Sequence, residues 1–142
     1  MKTQRTKVTT DKTFTDITNE VKSFISANKI IDGFIIVFSL HTTMGIKIME
    51  KEILSLLDVT SFLEKVAPVV GEYCHNNINL RDVPVNERIN GHSHIRSLFF
   101  PTSEVIPVIN GELLLGIWQS ILLVELDSSR EREYIMMAFS EE

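Results

Sequence analysis

The alternation of apolar and polar residues along the chain predicts a mixture of strands and helices. The first segment, TQRTKVTT (residues 3–10), is polar and rich in β-branched residues, which is typical of an edge strand. The next segment has apolar residues at helical spacing: Ile17, Val21, Phe24 and Ile25. We expect Thr15 or Asp16 to cap this helix and Asn28 to lie near its end.

The middle of the chain predicts two strands and a second helix. The continuous apolar run GFIIVFSL (residues 33–40) indicates a strand buried on both faces. MGIKIME (residues 44–50) alternates, which predicts a strand with Met44, Ile46 and Ile48 on one face. Residues 51–66 return to helical spacing, and Pro68 ends the run. The positions expected to face inward are Ile53, Leu56, Leu57, Leu63 and Val66.

A long polar loop separates this half from a run of strands. Residues 75–90 show no periodicity, and a loop of that length in a small domain is usually functional or disordered. NGHSHIRSLFF (residues 90–100) predicts a short helix capped by Asn90. Asn110-Gly111 between apolar segments predicts a hairpin. Two further strands are expected in residues 117–127 and 132–139.

The order of these elements predicts the fold class. Because tight turns join the strands after residue 103, we expect those strands to pair antiparallel with one another. The prediction is an α+β fold with a mainly antiparallel sheet and two or three packed helices. A chain of 142 residues fits a single domain, residues 1–142.

Composition narrows the partners and the compartment. The formal net charge is −5, whereas nucleic-acid binding needs a basic face, so no nucleic-acid partner is expected. No apolar run is long enough for a membrane helix or resembles a signal peptide, so no membrane partner is expected. Cys74 is the only cysteine, which favours a reducing compartment and a cytoplasmic location.

The four histidines lie where polar chemistry could gather. His41 follows an apolar strand, His75 opens the polar loop, and His92 and His94 follow its end. Imidazole is the commonest metal ligand in proteins, although this spacing matches no standard zinc motif. The alternative is four separate histidines that form local hydrogen bonds.

The His92-Ser93-His94 pattern depends on the local structure. On a helix, residues two apart lie about 200° apart around the axis, so only one of them can face a given site. On a strand they would share a face and could bind one metal. The flanking residues favour a helix, and His94 lies beside Ile95 and Leu98, so we expect His94 to point inward.

Other polar residues are candidates for catalysis. Glu50 ends an alternating strand and could act as a general base beside the histidines, or could complement the dipole of the next helix. Trp118 and Gln119 lie on a predicted strand, where one points inward and the other towards a site; the alternative is a packed Trp with a hydrogen-bonded Gln. Cys74 adjoins His75, but no base accompanies it, so we do not predict a nucleophile.

Three arginines could form a pocket for phosphate: Arg96, Arg130 and Arg132. Guanidinium groups bind phosphate oxygens through paired hydrogen bonds. The alternative is that these arginines are solvated or paired with acidic neighbours such as Glu131 and Glu133.

Taken together, these motifs resemble the YjbQ-like family, also labelled secondary thiamine-phosphate synthase. The stretches are HTT at residues 41–43 with Glu50, YCH at 73–75, SHI at 93–95, and GIWQ at 116–119. The family's hairpin signature is matched by Ser103, Ile106, Val108, Gly111, Gly116, Trp118, Gln119 and Ile121. Its Glu-x-Asp-x-x-Arg-x-Arg ending is matched by Glu125, Asp127, Arg130 and Arg132. The chain departs from the family pattern at Met49, Pro101 and Ile117.

The resemblance implies an α+β fold, a homotrimer, and a pocket that holds a divalent metal such as zinc. The implied metal ligands are His41, His75 and His94, while His92 matches a variable position. Candidate catalytic residues are Glu50, Gln119 and Arg130.

The function that the resemblance implies is a weak thiamine-phosphate synthase-like transferase acting on a small phosphate-bearing ligand. The alternatives are metal-assisted hydrolysis with Glu50 as base, and a non-catalytic oligomeric protein that binds a metal or a small anion.

Overall fold

The computed structural model of this chain describes residues 1–140. The helices are α1 (Thr18–Ala27), α2 (Ile53–Val66) and α3 (Gly91–Arg96). Short 3-10 turns occur at Cys74–Asn76, Ile78–Leu80 and Ser97–Phe99. The strands are β1 (Lys2–Thr10), β2 (Phe14–Asp16), β3 (Gly33–Ser39), β4 (Met44–Glu50), β5 (Ser103–Ile109), β6 (Glu112–Leu113), β7 (Gln119–Glu125) and β8 (Arg130–Ser140).

The strands form two antiparallel sheets, with orders β1-β8-β3-β5-β6 and β2-β7-β4. Every pairing is antiparallel, so the α+β prediction is confirmed. The expectation that the strands after residue 103 pair with one another holds only for β5 and β6. β7 and β8 follow each other in sequence but lie in different sheets. β7 pairs with β2 and β4 on its two sides, and β8 pairs with β1 and β3.

The strand buried on both faces is β7, and the prediction that β3 would be so buried is wrong. Residues 121–125 of β7 are all buried. Ile121 and Leu123 pack in the main core, and Val124 packs with Leu63 of α2 in a second core. In β3, Ile35 and Val37 are buried, whereas Phe34 and Phe38 are exposed on the other face. A run of apolar residues therefore did not distinguish a central strand with two covered faces from one with a single covered face.

The main core lies between the sheets and α1. The predicted inward face of α1 is confirmed, since Ile17, Val21, Phe24 and Ile25 are all buried. The expectation that Thr15 or Asp16 caps α1 is wrong, because Ile17 occupies the N-cap position and no side chain there makes a cap hydrogen bond. Asp16 Oδ1 lies one residue earlier and accepts the backbone N–H of Thr18, the first residue of α1, at 2.9 Å.

α2 buries less than its sequence predicts. Leu63 is buried, but Ile53, Leu57 and Val66 are exposed, so the predicted inward set is wrong for these three. α2 packs through Val59 and Leu63 on a small second core formed with Val124 and Leu126. Apolar residues occur on several sides of this helix, so spacing alone did not identify the side that packs.

Two local predictions in the second half have opposite outcomes. The Asn110-Gly111 hairpin is confirmed: both residues have positive φ, 53° and 80°, and they join β5 to the two-residue strand β6. Trp118 was expected on a strand but lies before β7, exposed, because pairing of β7 with β4 begins at Gln119.

No helix within residues 1–140 combines the length and the apolar character needed to cross a bilayer.

Candidate functional site

A buried ion pair links the two sheets. Glu125 ends β7 and Arg132 lies on β8, and only 5% and 2% of their surfaces are exposed. Arg132 Nε donates to Glu125 Oε2 at 2.7 Å, and a second guanidinium nitrogen donates to the other carboxylate oxygen. The Thr10 hydroxyl donates to Glu125 Oε2 at 2.6 Å, and Thr43 Oγ1 accepts from Arg132 at 3.0 Å. We call these four residues the arginine network.

The arginine network keeps Glu125 ionised. Burial by itself would raise the pKa of this carboxyl, but hydrogen bonds from Arg132 and Thr10 outweigh it, so the pKa lies below its usual range. Two guanidinium nitrogens of Arg132 donate to the carboxylate of Glu125, and one of them also donates to Thr43. Nε and Nη2 of Arg132 are therefore engaged within the chain, and Arg132 stabilises the junction of the sheets.

Arg130, the first residue of β8, contacts the turn between β7 and β8. It forms an ion pair with Asp127, and Asp127 also accepts a hydrogen bond from Asn90 Nδ2 at 2.8 Å. The expected role of Asn90 as helix cap is wrong, because its side chain makes no cap hydrogen bond and reaches Asp127 instead. Asp127 therefore connects Arg130, which was predicted as catalytic, to Asn90 at the start of α3.

Arg96, the third arginine of the predicted phosphate pocket, also has its own carboxylate. It pairs with Glu64 at 2.6 Å and donates to the carbonyl of Ala67 at 2.8 Å. The arginines expected to share an anion therefore each bind a different carboxylate. Glu131 and Glu133, the partners that the alternative named, pair instead with Lys7 and Arg5.

His41 is engaged with the backbone of β8. Its Nε2 accepts the N–H of Glu133 at 2.8 Å, which requires that nitrogen to be unprotonated. Burial lowers the pKa of His41, and the positive charge of Arg132 lowers it further. His41 thus fixes the loop after β3 against the arginine network.

His75 and His94 meet, and we call them the histidine pair. Their ring centroids are 4.3 Å apart with planes tilted by 44°. His75 Nδ1 is buried and has no hydrogen-bond partner within residues 1–140. Burial lowers the pKa of His75, and the electrostatic effect of the neighbouring His94 lowers it further. An unpaired buried ring nitrogen is uncommon, since it loses its hydrogen bond to water without replacement.

The histidine pair is positioned by the ends of the long polar loop. The backbone N–H of Gly91, the first residue of α3, donates to Asn76 Oδ1 at 2.9 Å. Arg81 donates to the carbonyl of His75 at 3.1 Å. A Cβ at Gly91 would overlap Tyr73, so only glycine permits α3 to lie this close to the turn that carries His75.

The prediction that one histidine of the His92-Ser93-His94 pattern joins the site is consistent with this geometry. His94 meets His75, whereas His92 Nε2 lies 3.2 Å from Ser93 Oγ. His92 is the more buried of the two, however, so the expectation that His94 faces inward is wrong. Side chains two residues apart on a short helix point in different directions, as the helical argument requires.

The three predicted metal ligands do not converge in one chain. Throughout the described residues, no three side chains of His, Cys, Asp or Glu are placed to hold one metal ion. His41 therefore does not complete a site with the histidine pair, and its Nε2 already has a partner. Cys74 is exposed and free, and no role for it was predicted.

Glu50 and Gln119 lie opposite each other at the end of the second sheet. They are register partners of β4 and β7, and both are exposed. Gln119 Oε1 accepts the N–H of Gly116 at 2.8 Å, which shapes the loop before β7. In that loop Ile117 and Trp118 are 89% and 71% exposed. We call Glu50, Ile117, Trp118 and Gln119 the β4–β7 end.

Sequence reasoning missed the roles of Thr10, Thr43 and Glu125 in the arginine network. The HTT stretch and the Glu-x-Asp-x-x-Arg-x-Arg ending contain three of the four network residues, but their contact joins segments far apart in sequence. No local periodicity reveals a hydrogen bond between residues 10 and 125.

The sequence is similar to known proteins over most of its length. A family model described as UPF0047 protein YjbQ-like matches residues 2–141. A UPF0047 protein of Methanothermobacter thermautotrophicus is 40% identical over 117 residues, which cover 82% of this chain and 76% of the relative. The UPF0047 protein YugU of Bacillus subtilis is 30% identical over 141 residues, which cover 96% of this chain and 98% of the relative.

Solved structures have the same fold. A hypothetical protein, APE1520 from Aeropyrum pernix K1, matches with a TM-score of 0.86 and 31% identity, covering 99% of this chain and 100% of that one. A Sulfolobus solfataricus protein described as YbjQ-like and of unknown function matches with a TM-score of 0.85 and 29% identity, covering 99% of this chain and 97% of that one. Neither description assigns an activity.

Proposed function

The chain belongs to the YjbQ-like UPF0047 family, and from its own geometry we propose that it binds a divalent metal ion such as zinc through the histidine pair. The solved relatives carry no assigned activity, so the proposal depends on the arrangement of this chain's side chains.

The observation that carries the proposal is the unpartnered, buried Nδ1 of His75 beside the ring of His94. Two imidazoles in contact, one with a buried ring nitrogen that has no hydrogen-bond partner, are donors of the kind that zinc and similar metals prefer. The lowered pKa of His75 supports this use, because only a neutral imidazole can bind a metal.

Such a metal would act as a Lewis acid that binds a phosphate oxygen of a small ligand. The chain's own contribution is to hold the imidazoles in place. Asn76 fixes the start of α3, and Arg81 fixes the carbonyl of His75. Binding of a metal, with or without a phosphate-bearing ligand, is the function that these contacts support best.

Zinc titration of purified protein against a chelator of known affinity tests the proposal. We expect His75→Gln and His94→Gln each to weaken binding by about 10-fold or more. His92→Gln is the matched control, because His92 lies on the same helix as His94. Cys74→Ser tests whether the thiol next to His75 contributes to binding. Both variants should bind zinc with the affinity of the original chain. Equal zinc affinity in all five proteins would remove the histidine pair as the site.

A transferase that forms thiamine phosphate receives less support from the structure. Departure of pyrophosphate needs free cations near the leaving group. Arg130 and Arg132, the expected donors, are neutralised by Asp127 and Glu125. Non-catalytic metal binding is therefore preferred to the transferase. Assays of both reactions with zinc-loaded protein separate these functions, and turnover that Glu50→Gln abolishes would favour an enzyme.

A further inference from the structure

We propose that the groove between β2 and α2 binds an extended peptide segment, which pairs with the free edge of β2 as an added strand. The segment carries apolar side chains at alternate positions and an acidic residue at one end. The groove shares no lining residue with the histidine pair, so this inference does not depend on metal binding.

The first observation is that one edge of β2 is open. β2 lies at the end of the sheet β2-β7-β4 and pairs with β7 alone. The carbonyl of Thr13 accepts a hydrogen bond from β7 at 2.7 Å, and the N–H of Ile17 donates one to β7 at 2.9 Å. Because such residues alternate in an antiparallel ladder, Phe14 and Asp16 direct their N–H and C=O groups away from β7. These four groups have no backbone partner within residues 1–140.

The opposite edge of the same sheet is covered, which makes the open edge of β2 informative. On β4, the N–H of Ile46 donates to the carbonyl of Pro101 at 2.9 Å. The N–H of Ile48 donates to Glu104 Oε1 at 3.2 Å. An uncovered strand edge is a template for another extended backbone, and strand addition is a common way to bind peptides.

The second observation is an apolar wall beside this edge. A groove of about 510 Å³ lies between the residues of β2 and the first two turns of α2. Ile53 and Leu57 line it and are 72% and 58% exposed, and the half-buried Leu56 lines it with them. Side chains alternate along a strand, so those on one face of an added strand would pack on this wall. Burial of exposed apolar side chains of this kind favours binding.

The third observation is the charge of the groove. Lys12 lines the groove just before β2 and forms no ion pair with any described residue. Lys51, which also lines it, already pairs with Asp16. An acidic residue at the Lys12 end of the segment therefore complements the groove.

A peptide satisfies all three observations, whereas a fatty acid satisfies only two. The carboxylate of a fatty acid could pair with Lys12, and its chain could cover the apolar wall. It would still leave the backbone groups of Phe14 and Asp16 without partners, and a peptide backbone supplies both donors and acceptors for them.

Titration calorimetry with a synthetic peptide tests the proposal. The probe is an acetylated, amidated peptide of alternating leucine and threonine with glutamate at both ends, and it should bind the original chain. A matched peptide with methylated backbone nitrogens keeps every side chain but cannot donate to β2. We expect it to bind at least about 10-fold more weakly, because the hydrogen bonds of the added strand are lost.

Variants of the groove locate the peptide. Leu57→Glu places a charge in the apolar wall and should weaken binding by about 10-fold or more. Leu54→Glu is the matched control, because Leu54 is 67% exposed on the same helix but does not line the groove, and it should bind as the original chain does. Lys12→Glu should weaken binding by about 3-fold or more, and a probe with lysine in place of glutamate should restore it.

Four results would each overturn the proposal. They are no binding of the probe by the original chain, equal affinity for the methylated probe, equal losses in Leu57→Glu and Leu54→Glu, and binding of dodecanoate without binding of the probe. The last result would assign the groove to an aliphatic chain. Zinc binding at the histidine pair is measured separately, so its presence or absence leaves this test unaffected.

Discussion

Glu125 and Arg132 show how one pair of residues shapes the interior at the residue scale. Each charge is stable away from water only because the other, with Thr10 and Thr43, satisfies its hydrogen bonds. Loss of one partner is costly because the other charge stays buried and unpaired, whereas an ion pair on the surface remains in water.

Glu125→Gln should therefore lower the free energy of unfolding by about 3–5 kcal/mol, measured by urea denaturation. Glu131→Gln is the control, because Glu131 lies on β8 beside Arg132 and pairs with Lys7 in an exposed position, and it should change stability little. Similar losses in the two variants would show that the arginine network contributes no more than a surface pair.

His41 makes stability depend on pH. Its pKa in the folded chain is lowered by burial and by Arg132, so the unfolded chain takes up the proton first as pH falls below about 6.5. The free energy of unfolding should then decrease as pH falls from neutral towards the folded pKa. His41→Gln keeps an acceptor for the Glu133 N–H and should reduce that decrease, measured by urea unfolding at pH 8 to 5 with a chelator present. An unchanged slope would contradict this account.

At the scale of elements, α2 shows where periodicity misleads. Its apolar residues occupy several sides, and only the side with Val59 and Leu63 meets the sheet. The prediction of the helix itself was correct, and Glu52 caps it through the N–H groups of Leu54 and Ser55. Element type follows from local spacing, but the packed side depends on the neighbouring strand.

Leu63→Ala and Leu57→Ala test that assignment on one helix. Leu63 is 1% exposed, so its truncation should cost about 2–5 kcal/mol in urea unfolding, while Leu57 is 58% exposed and should cost far less. The same substitution at both positions keeps helix propensity constant. A larger loss at Leu57 would mean that α2 packs through its other side.

At the scale of the whole molecule, the sequence predicted the order of elements better than their partners. Helices, strands and the Asn110-Gly111 turn depend on neighbouring residues, so they could be predicted. The separation of β7 and β8 into different sheets could not, because it depends on contacts with distant strands. The candidate site was likewise predicted in part. The sequence identified the histidines, but the tertiary fold determines that His75 contacts His94 while His41 contacts the backbone of β8.

Metal binding to the folded chain should stabilise the whole molecule. If zinc binds only the native state, free zinc at 100 times its dissociation constant raises the free energy of unfolding by about 2.7 kcal/mol. Thermal unfolding with zinc and with chelator measures this difference, which His94→Gln should reduce to about half or less at the same zinc concentration. An equal rise in that variant would place the metal elsewhere.

The pairing of β8 with both β1 and β3 also constrains how the chain folds. Lys2 lies opposite Ala138, so this ladder joins residues separated by most of the sequence. Forming such a ladder requires closing a very long loop before its contacts can contribute, which slows folding. Until β8 docks, one side of β3 and all of β1 lack their hydrogen-bonding neighbour, and these open edges are where chaperones or self-association would act on newly made protein.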